Sequence, residues 1–299
     1  MSGSGTEADV VCANCGVAEV DEIKLEECDG CDLVKYCSDK CREEHREQHE
    51  EECKNRKAEL HGKKLFTQPD GNHLGECPLC FLPMPLDPTK TTFYSCCSTQ
   101  ICDGCIYVHH VQNRSMNCPF CREPAPDDEE NRKRMMERVK ANDPAALRRM
   151  GTRCYHEGDY DVAFEYFKKA AELSDAVAHY QLSVMYGKWQ GVEKDDEKKV
   201  YHYEEAAIGG HPFARYNLGV SEEENGNVER AVKHFIIAAN LGDEKSMKAL
   251  WGNYKDRNIT KEELDATLRT HHAAVNEMKS PQREAAEAWR ERQRGAQRG

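Results

Sequence analysis

The residues with chemistry to offer are cysteines and one histidine, and they come in close pairs. Cys12 and Cys15, Cys28 and Cys31, Cys37 and Cys41, and His49 and Cys53 are separated by two or three residues each. A second series follows: Cys77 and Cys80, the adjacent Cys96 and Cys97, Cys102 and Cys105, and Cys118 and Cys121. A pair at such spacing presents two donors from one tight turn or one helical turn, as a tetrahedral zinc with thiolate and imidazole bonds of ~2.0–2.3 Å requires. Each series offers eight donors, enough for two zincs. Fifteen of the sixteen cysteines lie between Cys12 and Cys121, so the metal chemistry is confined to the N-terminal part and only Cys154 is left over.

Sites whose donors all come from the protein leave no open position for a reactive water, so the expected metals are structural and no catalytic residue is assigned. Nothing else in the chain competes for an enzymatic role. There is no glycine-rich phosphate loop, no G-x-S-x-G and no H-E-x-x-H. The opening residues MSGSGTEADVV have no basic start followed by an apolar run, and no stretch of ~20 apolar residues follows. The sequence is therefore read as intracellular, in cytoplasm or nucleus, without a membrane segment. There thiols stay reduced and close cysteine pairs bind metal rather than form disulfides. A net charge of -12 counts against binding nucleic acid. The basic groups Lys54, Arg56, Lys57, Lys63 and Lys64, and Arg290, Arg292, Arg294 and Arg298, are read as solvated faces.

Residues 38–53 are read as a polar helix on which His45, His49 and Cys53 share one face. The four pairs, including VKYCSDKCREEHREQHEEEC, resemble the MYND finger along its whole length. The resemblance implies a cross-brace: Cys12, Cys15, Cys37 and Cys41 on one zinc, and Cys28, Cys31, His49 and Cys53 on the other. It makes His45 a non-ligand. Arg46 stands where many MYND fingers have tryptophan, which counts against that family's binding of proline-containing peptides. Zinc binding can supply ~10–16 kcal/mol to a segment with too few apolar residues for a core.

The second series, running from ECPLC to CPFCREP, resembles an all-cysteine RING finger. On that resemblance Cys77, Cys80, Cys102 and Cys105 hold one zinc, and Cys96, Cys97, Cys118 and Cys121 the other. Thr99 stands where most RING fingers have a histidine ligand. Neighbouring side chains in an extended chain point to opposite sides, so Cys96 and Cys97 sharing one metal is the difficult element, with His109 or His110 as the alternative fourth ligand. The resemblance further implies a surface for a ubiquitin-conjugating enzyme at Leu79, Pro119, Phe120 and Arg122. His109 occupies a position that is often large and apolar in RING helices.

Beyond residue 141 the composition shifts to alanine, leucine and aromatics at helical spacing, and the chain repeats. DPAALRRMG begins at Asp143, DAVAHYQLS at Asp175, HPFARYNLG at His211 and DEKSMKALW at Asp243, a period of 32 to 36 residues. Each copy continues to a second helix with a doubled alanine: Ala170 and Ala171, Ala206 and Ala207, Ala238 and Ala239. The pattern resembles the Sel-one-like repeat, a relative of the tetratricopeptide repeat. The alanines would allow close helix approach, with Tyr166, Phe167, Tyr180, Leu182, Tyr203, Leu218, Phe235 and Leu250 filling the seams and Cys154 as a small core residue.

The expected fold is therefore multidomain: two small zinc cross-brace modules followed by an all-α solenoid of helix hairpins. The boundaries are a disordered start at 1–11, the MYND finger at 12–53, a linker at 54–76 and the RING-like finger at 77–122. A linker and helix at 123–141, repeats at 142–257, capping helices at 258–294 and a disordered tail at 295–299 complete the chain. Four structural zincs are expected. Two functions fit this layout: a RING-type ubiquitin ligase or ligase-associated adaptor that selects clients through the MYND finger and repeats, and a non-catalytic scaffold that binds proteins.

Overall fold

The N-terminal segment has few apolar residues, and its regular structure is correspondingly small. The structure is a computed structural model describing residues 10–296. It divides into two compact units, one ending at Thr67 and the other beginning at Gln68. Of the disordered start expected at 1–11, residues up to 9 lie outside the described residues. Val10 and Val11 do not follow that expectation, because Glu19 N–H donates to the Val10 carbonyl at 3.0 Å and Val11 bridges Ala18.

In the first unit β1 (Glu26–Glu27) pairs antiparallel with β2 (Lys35–Tyr36), setting Glu26 opposite Tyr36. Ser38 then caps α1 (Asp39–Leu65), its hydroxyl accepting from the Cys41 N–H at 3.3 Å and satisfying one of the free amides of the first turn. The helix expected over 38–53 thus extends through residue 65, and the first half of the expected linker is helical. The added residues include Lys, Glu, Arg, Ala and Leu, all good helix formers, and no proline. Arg56 also anchors that extension, donating from Nε and Nη2 to the two oxygens of Asp32 at 2.6 and 2.9 Å. It is paired rather than part of a free basic face. The core of this unit is Cys12, Leu25, Tyr36 and Cys41 with a few half-buried neighbours. So small a core is of the size that a bound metal commonly supplements.

In the second unit β3 (Thr91–Tyr94) and β4 (Thr99–Cys102) form a hairpin in register from Thr91 opposite Cys102 to Tyr94 opposite Thr99. The chain then enters α2 (Asp103–Tyr107), continued by a π-helical turn over Val108–Gln112. A further helix, α3 (Asp128–Lys140), has Asp128, Glu129 and Glu130 in its first turn and Arg138 and Lys140 in its last, the charge order that suits the helix dipole.

The array follows as α4 (Pro144–Glu157), α5 (Tyr160–Glu172), α6 (Ala176–Lys188), α7 (Asp196–Ile208), α8 (Pro212–Glu224) and α9 (Val228–Asn240). It ends with α10 (Glu244–Lys255), α11 (Lys261–Glu277) and α12 (Pro281–Ala296). The residues that mark the repeat period, Asp143, Asp175, His211 and Asp243, are the N-caps of α4, α6, α8 and α10. Each accepts a backbone N–H of the first turn, so the repeat signature is a capping signature. The six paired alanines are buried, as are Phe167, Leu182, Leu218, Phe235 and Leu250, while Tyr166, Tyr180 and Tyr203 are half-buried. Cys154 lies in the core with Phe167 and Leu182.

The last helix departs from the role expected of a cap. α12 packs against α2 of the cysteine-rich module, with the rings of Tyr107 and Trp289 6.2 Å apart. The module and the array, read from the sequence as separate, therefore lie within one compact unit. Of the tail expected at 295–299, Gly295 and Ala296 belong to α12, and 297–299 lie outside the described residues. No described helix is long and apolar enough to cross a membrane.

Candidate metal centres

Four groups of donors converge. Cys12, Cys15, Cys37 and Cys41 form the first; Cys28, Cys31, His49 and Cys53 the second; Cys77, Cys80, Cys102 and Cys105 the third; Cys96, Cys97, Cys118 and Cys121 the fourth. Within each group the ligand atoms lie within 4.8 Å of one another. In both modules the pairs interleave along the chain.

The separations test whether zinc fits. A tetrahedron with Zn–S bonds of ~2.3 Å has S···S edges of about 3.8 Å. Cys15 and Cys37 are 3.5 Å apart and Cys37 and Cys41 3.6 Å; Cys28 and Cys53 are 3.7 Å apart. Cys77 and Cys105 stand at 3.9 Å, and Cys80 and Cys102 at 3.8 Å. Such distances exceed a disulfide bond of ~2.05 Å and match the edges of a thiolate tetrahedron. The donor sets contain sulfur and imidazole without carboxylate, which suits zinc rather than calcium or magnesium.

Local structure explains how each donor is aimed. In the first centre Cys12 has its thiol pulled down to about 6, because burial alone would raise it but the amides of Cys15, Cys37 and Asn14 bond the sulfur. Cys28 is likewise brought down to about 7, burial opposing the Gly30 amide and the neighbouring ligands. A Cβ on Gly30 would stand 2.8 Å from the Cys53 sulfur, so this turn needs glycine to close around the second centre. His49 presents Nε2 to the Cys31 sulfur at 3.2 Å, while its buried Nδ1 lies 3.7 Å from the Glu52 carboxylate, beyond hydrogen-bond distance. His45 stays outside the donor group. Its Nδ1 is 3.1 Å from the Tyr36 hydroxyl, and its ring stacks on His49 at 5.7 Å.

The adjacent cysteines converge because they are not in extended chain. Cys96 and Cys97 sit in the turn between β3 and β4, followed by Ser98 in a left-handed conformation at φ 53°, and their sulfurs are 3.9 Å apart. Cys97 lies 3.8 Å from Cys118, and Cys96 3.3 Å from Cys121. From α3, Arg138 donates to the carbonyls of Ser95 and Cys96, the latter at 2.6 Å, while Ser95 donates its hydroxyl to Asn131 at 2.5 Å. His110 is engaged elsewhere, Nε2 with the Tyr94 hydroxyl at 2.9 Å and Nδ1 with the Ser115 carbonyl at 2.5 Å.

Beside the third centre is a groove of about 290 Å³. Leu79, Val108, His109 and Pro119 line it, together with Ser280, just before α12, and Gln282, in its first turn. Of the four residues expected on this surface, Leu79 and Pro119 meet there. Phe120 is exposed, and Arg122 is exposed in a left-handed conformation at φ 64°; neither lines the groove.

Sequence reasoning missed the cations and the glycine that bind these centres to the helices: Arg138, Arg283, Arg290 and Gly104. Arg290 meets the Asp103 carboxylate at 2.6 Å, one residue after Cys102, and donates to the Thr89 carbonyl at 2.9 Å. Lys90 meets Glu287 at 2.8 Å. No local pattern sets these residues apart from other surface charges.

Comparison with known families bears on the first module and on the helical array. The MYND finger matches residues 12–53, and the Sel1 repeat matches three times, over 144–175, 176–211 and 212–243. The chain thus carries a MYND finger and Sel1 repeats, with further cysteine clusters between them. No curated protein matches the chain. Among solved structures, a Sel1 repeat protein from Oxalobacter formigenes is similar at 25% identity and a TM-score of 0.43, covering 57% of this chain and 70% of its own. A second is c5321, a protective antigen of uropathogenic Escherichia coli with an SLR fold. It is 16% identical with a TM-score of 0.41, covering 48% of this chain and 33% of its own.

Proposed function

We propose that the chain binds four structural zincs, two in each cross-brace, and acts as a protein-interaction adaptor whose second module seats a ubiquitin-conjugating enzyme. The observation that carries the second part is the groove in which Leu79 and Pro119 meet beside the third centre. That groove has Leu79, Val108 and Pro119 among its lining residues and is built on the same compact unit as the repeat array. An enzyme positioned there and a client held by the array would be brought together by one body, and positioning is the whole contribution of such a ligase. Arg122, exposed after the last ligand, offers a permanently charged fork for a partner's carbonyls.

The test is ubiquitin-chain formation by the purified, zinc-loaded chain across a panel of conjugating enzymes. Chains with at least one enzyme, lost in Leu79→Ala and reduced in Arg122→Ala, would support the reading. No chains with any enzyme would reject the ligase part. Native mass spectrometry tests the metal part: four zincs per chain are expected, and fewer would reject the full pair of cross-braces.

A scaffold without ligase activity is the second reading, and the polar residues among the groove's lining favour it: His109, Ser280 and Gln282 stand beside Leu79 and Pro119. Partners captured with no change in their ubiquitination would support the scaffold.

A further inference from the structure

Arg283 lies in the first turn of α12, 203 residues beyond Cys80. Its guanidinium nevertheless reaches the third centre. Nη1 donates to the Pro83 carbonyl and to the Met278 carbonyl at 2.7 Å each; Nη2 donates to the Leu82 carbonyl at 3.3 Å and to the Cys80 sulfur at 3.6 Å. The fork is thus held on three carbonyls with one arm turned to a ligand.

The backbone is shaped for this approach. Gly104 lies between Asp103 and the ligand Cys105, and a Cβ there would stand 2.7 Å from Arg283 Cγ and 2.8 Å from its backbone nitrogen. Any larger residue would push α12 away.

Charge gives the contact its meaning. Four thiolates around a divalent ion leave two uncompensated negative charges, which are costly to bury without a partner. A neighbouring guanidinium offsets part of that charge, and an N–H···S bond makes the sulfur a poorer target for protons. We propose that Arg283 is a positioning residue of the Cys77, Cys80, Cys102 and Cys105 centre, supplying charge and a hydrogen bond to Cys80, so that a side chain carried by the array's last helix governs metal retention. The inference rests on the reading that these four cysteines bind zinc.

Zinc release from the full chain to the chelating dye 4-(2-pyridylazo)resorcinol tests it, with helicity followed by circular dichroism. Arg283→Met keeps the apolar stem and removes the charge; Arg283→Lys keeps the charge and removes the fork. Glu287→Gln breaks a docking ion pair of the same helix, with Lys90, while touching no sulfur. The expected result is one zinc per chain released about tenfold or more faster from Arg283→Met, the usual scale for an outer partner of a metal site. Arg283→Lys should fall between it and wild type, and Glu287→Gln should stay near wild type. Wild-type release from both Arg283 variants overturns the proposal, as does equal acceleration by Glu287→Gln, which would assign the effect to docking alone. If Arg283→Met does not fold, Arg283→Lys decides: faster release of one zinc supports the proposal and wild-type release overturns it. A wild-type chain without zinc at these cysteines removes the metal assignment and this inference together. A loaded wild type with an indifferent Arg283 removes only the inference.

Discussion

The Arg138 guanidinium on α3 donates to the carbonyl oxygen of Cys96 at 2.6 Å. A helix outside the finger thereby holds the turn in which two adjacent cysteines face one point. Arg138→Ala should loosen the fourth centre while leaving the other three intact. Native mass spectrometry should find chains with three zincs, and affinity at that centre should fall about 10- to 100-fold. Four retained zincs with unchanged release would show that the turn holds itself.

His49 and His45 lie one helical turn apart and should behave oppositely. His49→Ala removes a donor of the second centre and should lower the zinc content of the MYND finger. His45→Ala removes a hydrogen bond to Tyr36 and a ring contact with His49 but no donor, with a cost of about 1 kcal/mol and no loss of metal. Metal loss from His45→Ala would mean the second centre uses the other histidine.

The array makes its own prediction at Gly219. A Cβ there would stand 2.5 Å from Cε1 of Phe235, a fully buried ring. Alanine favours a helix over glycine by about 1 kcal/mol, but overpacking against a fixed ring costs about 1–3 kcal/mol. Gly219→Ala should therefore lower or at best leave unchanged the denaturant midpoint of the helical transition. A clear rise would show that the ring shifts freely.

Acid should weaken the array through its buried histidines. His202 stacks on Tyr186 with centroids 5.6 Å apart, and its Nδ1 is 3.0 Å from Nδ1 of His179. Burial, then His179 and Lys198, lowers it from 6.5 to about 4. Between those values the unfolded chain takes up a proton that the folded chain refuses, so stability rises with pH. The contribution is complete above about pH 6.5 and lost as pH falls toward 4, amounting to at most about 3 kcal/mol. The helical melting temperature of His202→Gln should therefore fall less than that of wild type between pH 7 and 4.5. Identical slopes would assign the acid sensitivity to other groups.

Removing the metal should separate the two kinds of structure in the chain. A chelator should unfold the first unit, whose core is little more than Cys12, Leu25, Tyr36 and Cys41. The helical signal of α4 to α10 should persist, because Phe167, Leu182, Phe235 and Leu250 pack without any metal donor. Far-ultraviolet circular dichroism before and after chelation measures the difference; full loss of helicity would show that the array also needs the zincs.

Much of this organisation is legible along the chain because its physics is local. A C-x2-C knuckle is short enough to aim both sulfurs whatever surrounds it. The repeat positions are visible because Asp143, Asp175, His211 and Asp243 cap helices whose second members carry paired alanines. The extent of α1 was less legible: the helix expected to stop at Cys53 continues to Leu65, tied by Arg56 to an aspartate 24 residues earlier.

The sequence by itself determined which cysteines and histidine stand in close pairs and where the helical repeat falls, because each depends on residues a few positions apart. Only the tertiary structure decided that α12 returns to the second module, that Gly104 admits it, and that Arg138 and Arg283 reach the cysteine loops. An arginine has the same local pattern whether it faces water or a thiolate. Its role appears when folding brings it to a group 42 or 203 residues away, where burial makes its charge count.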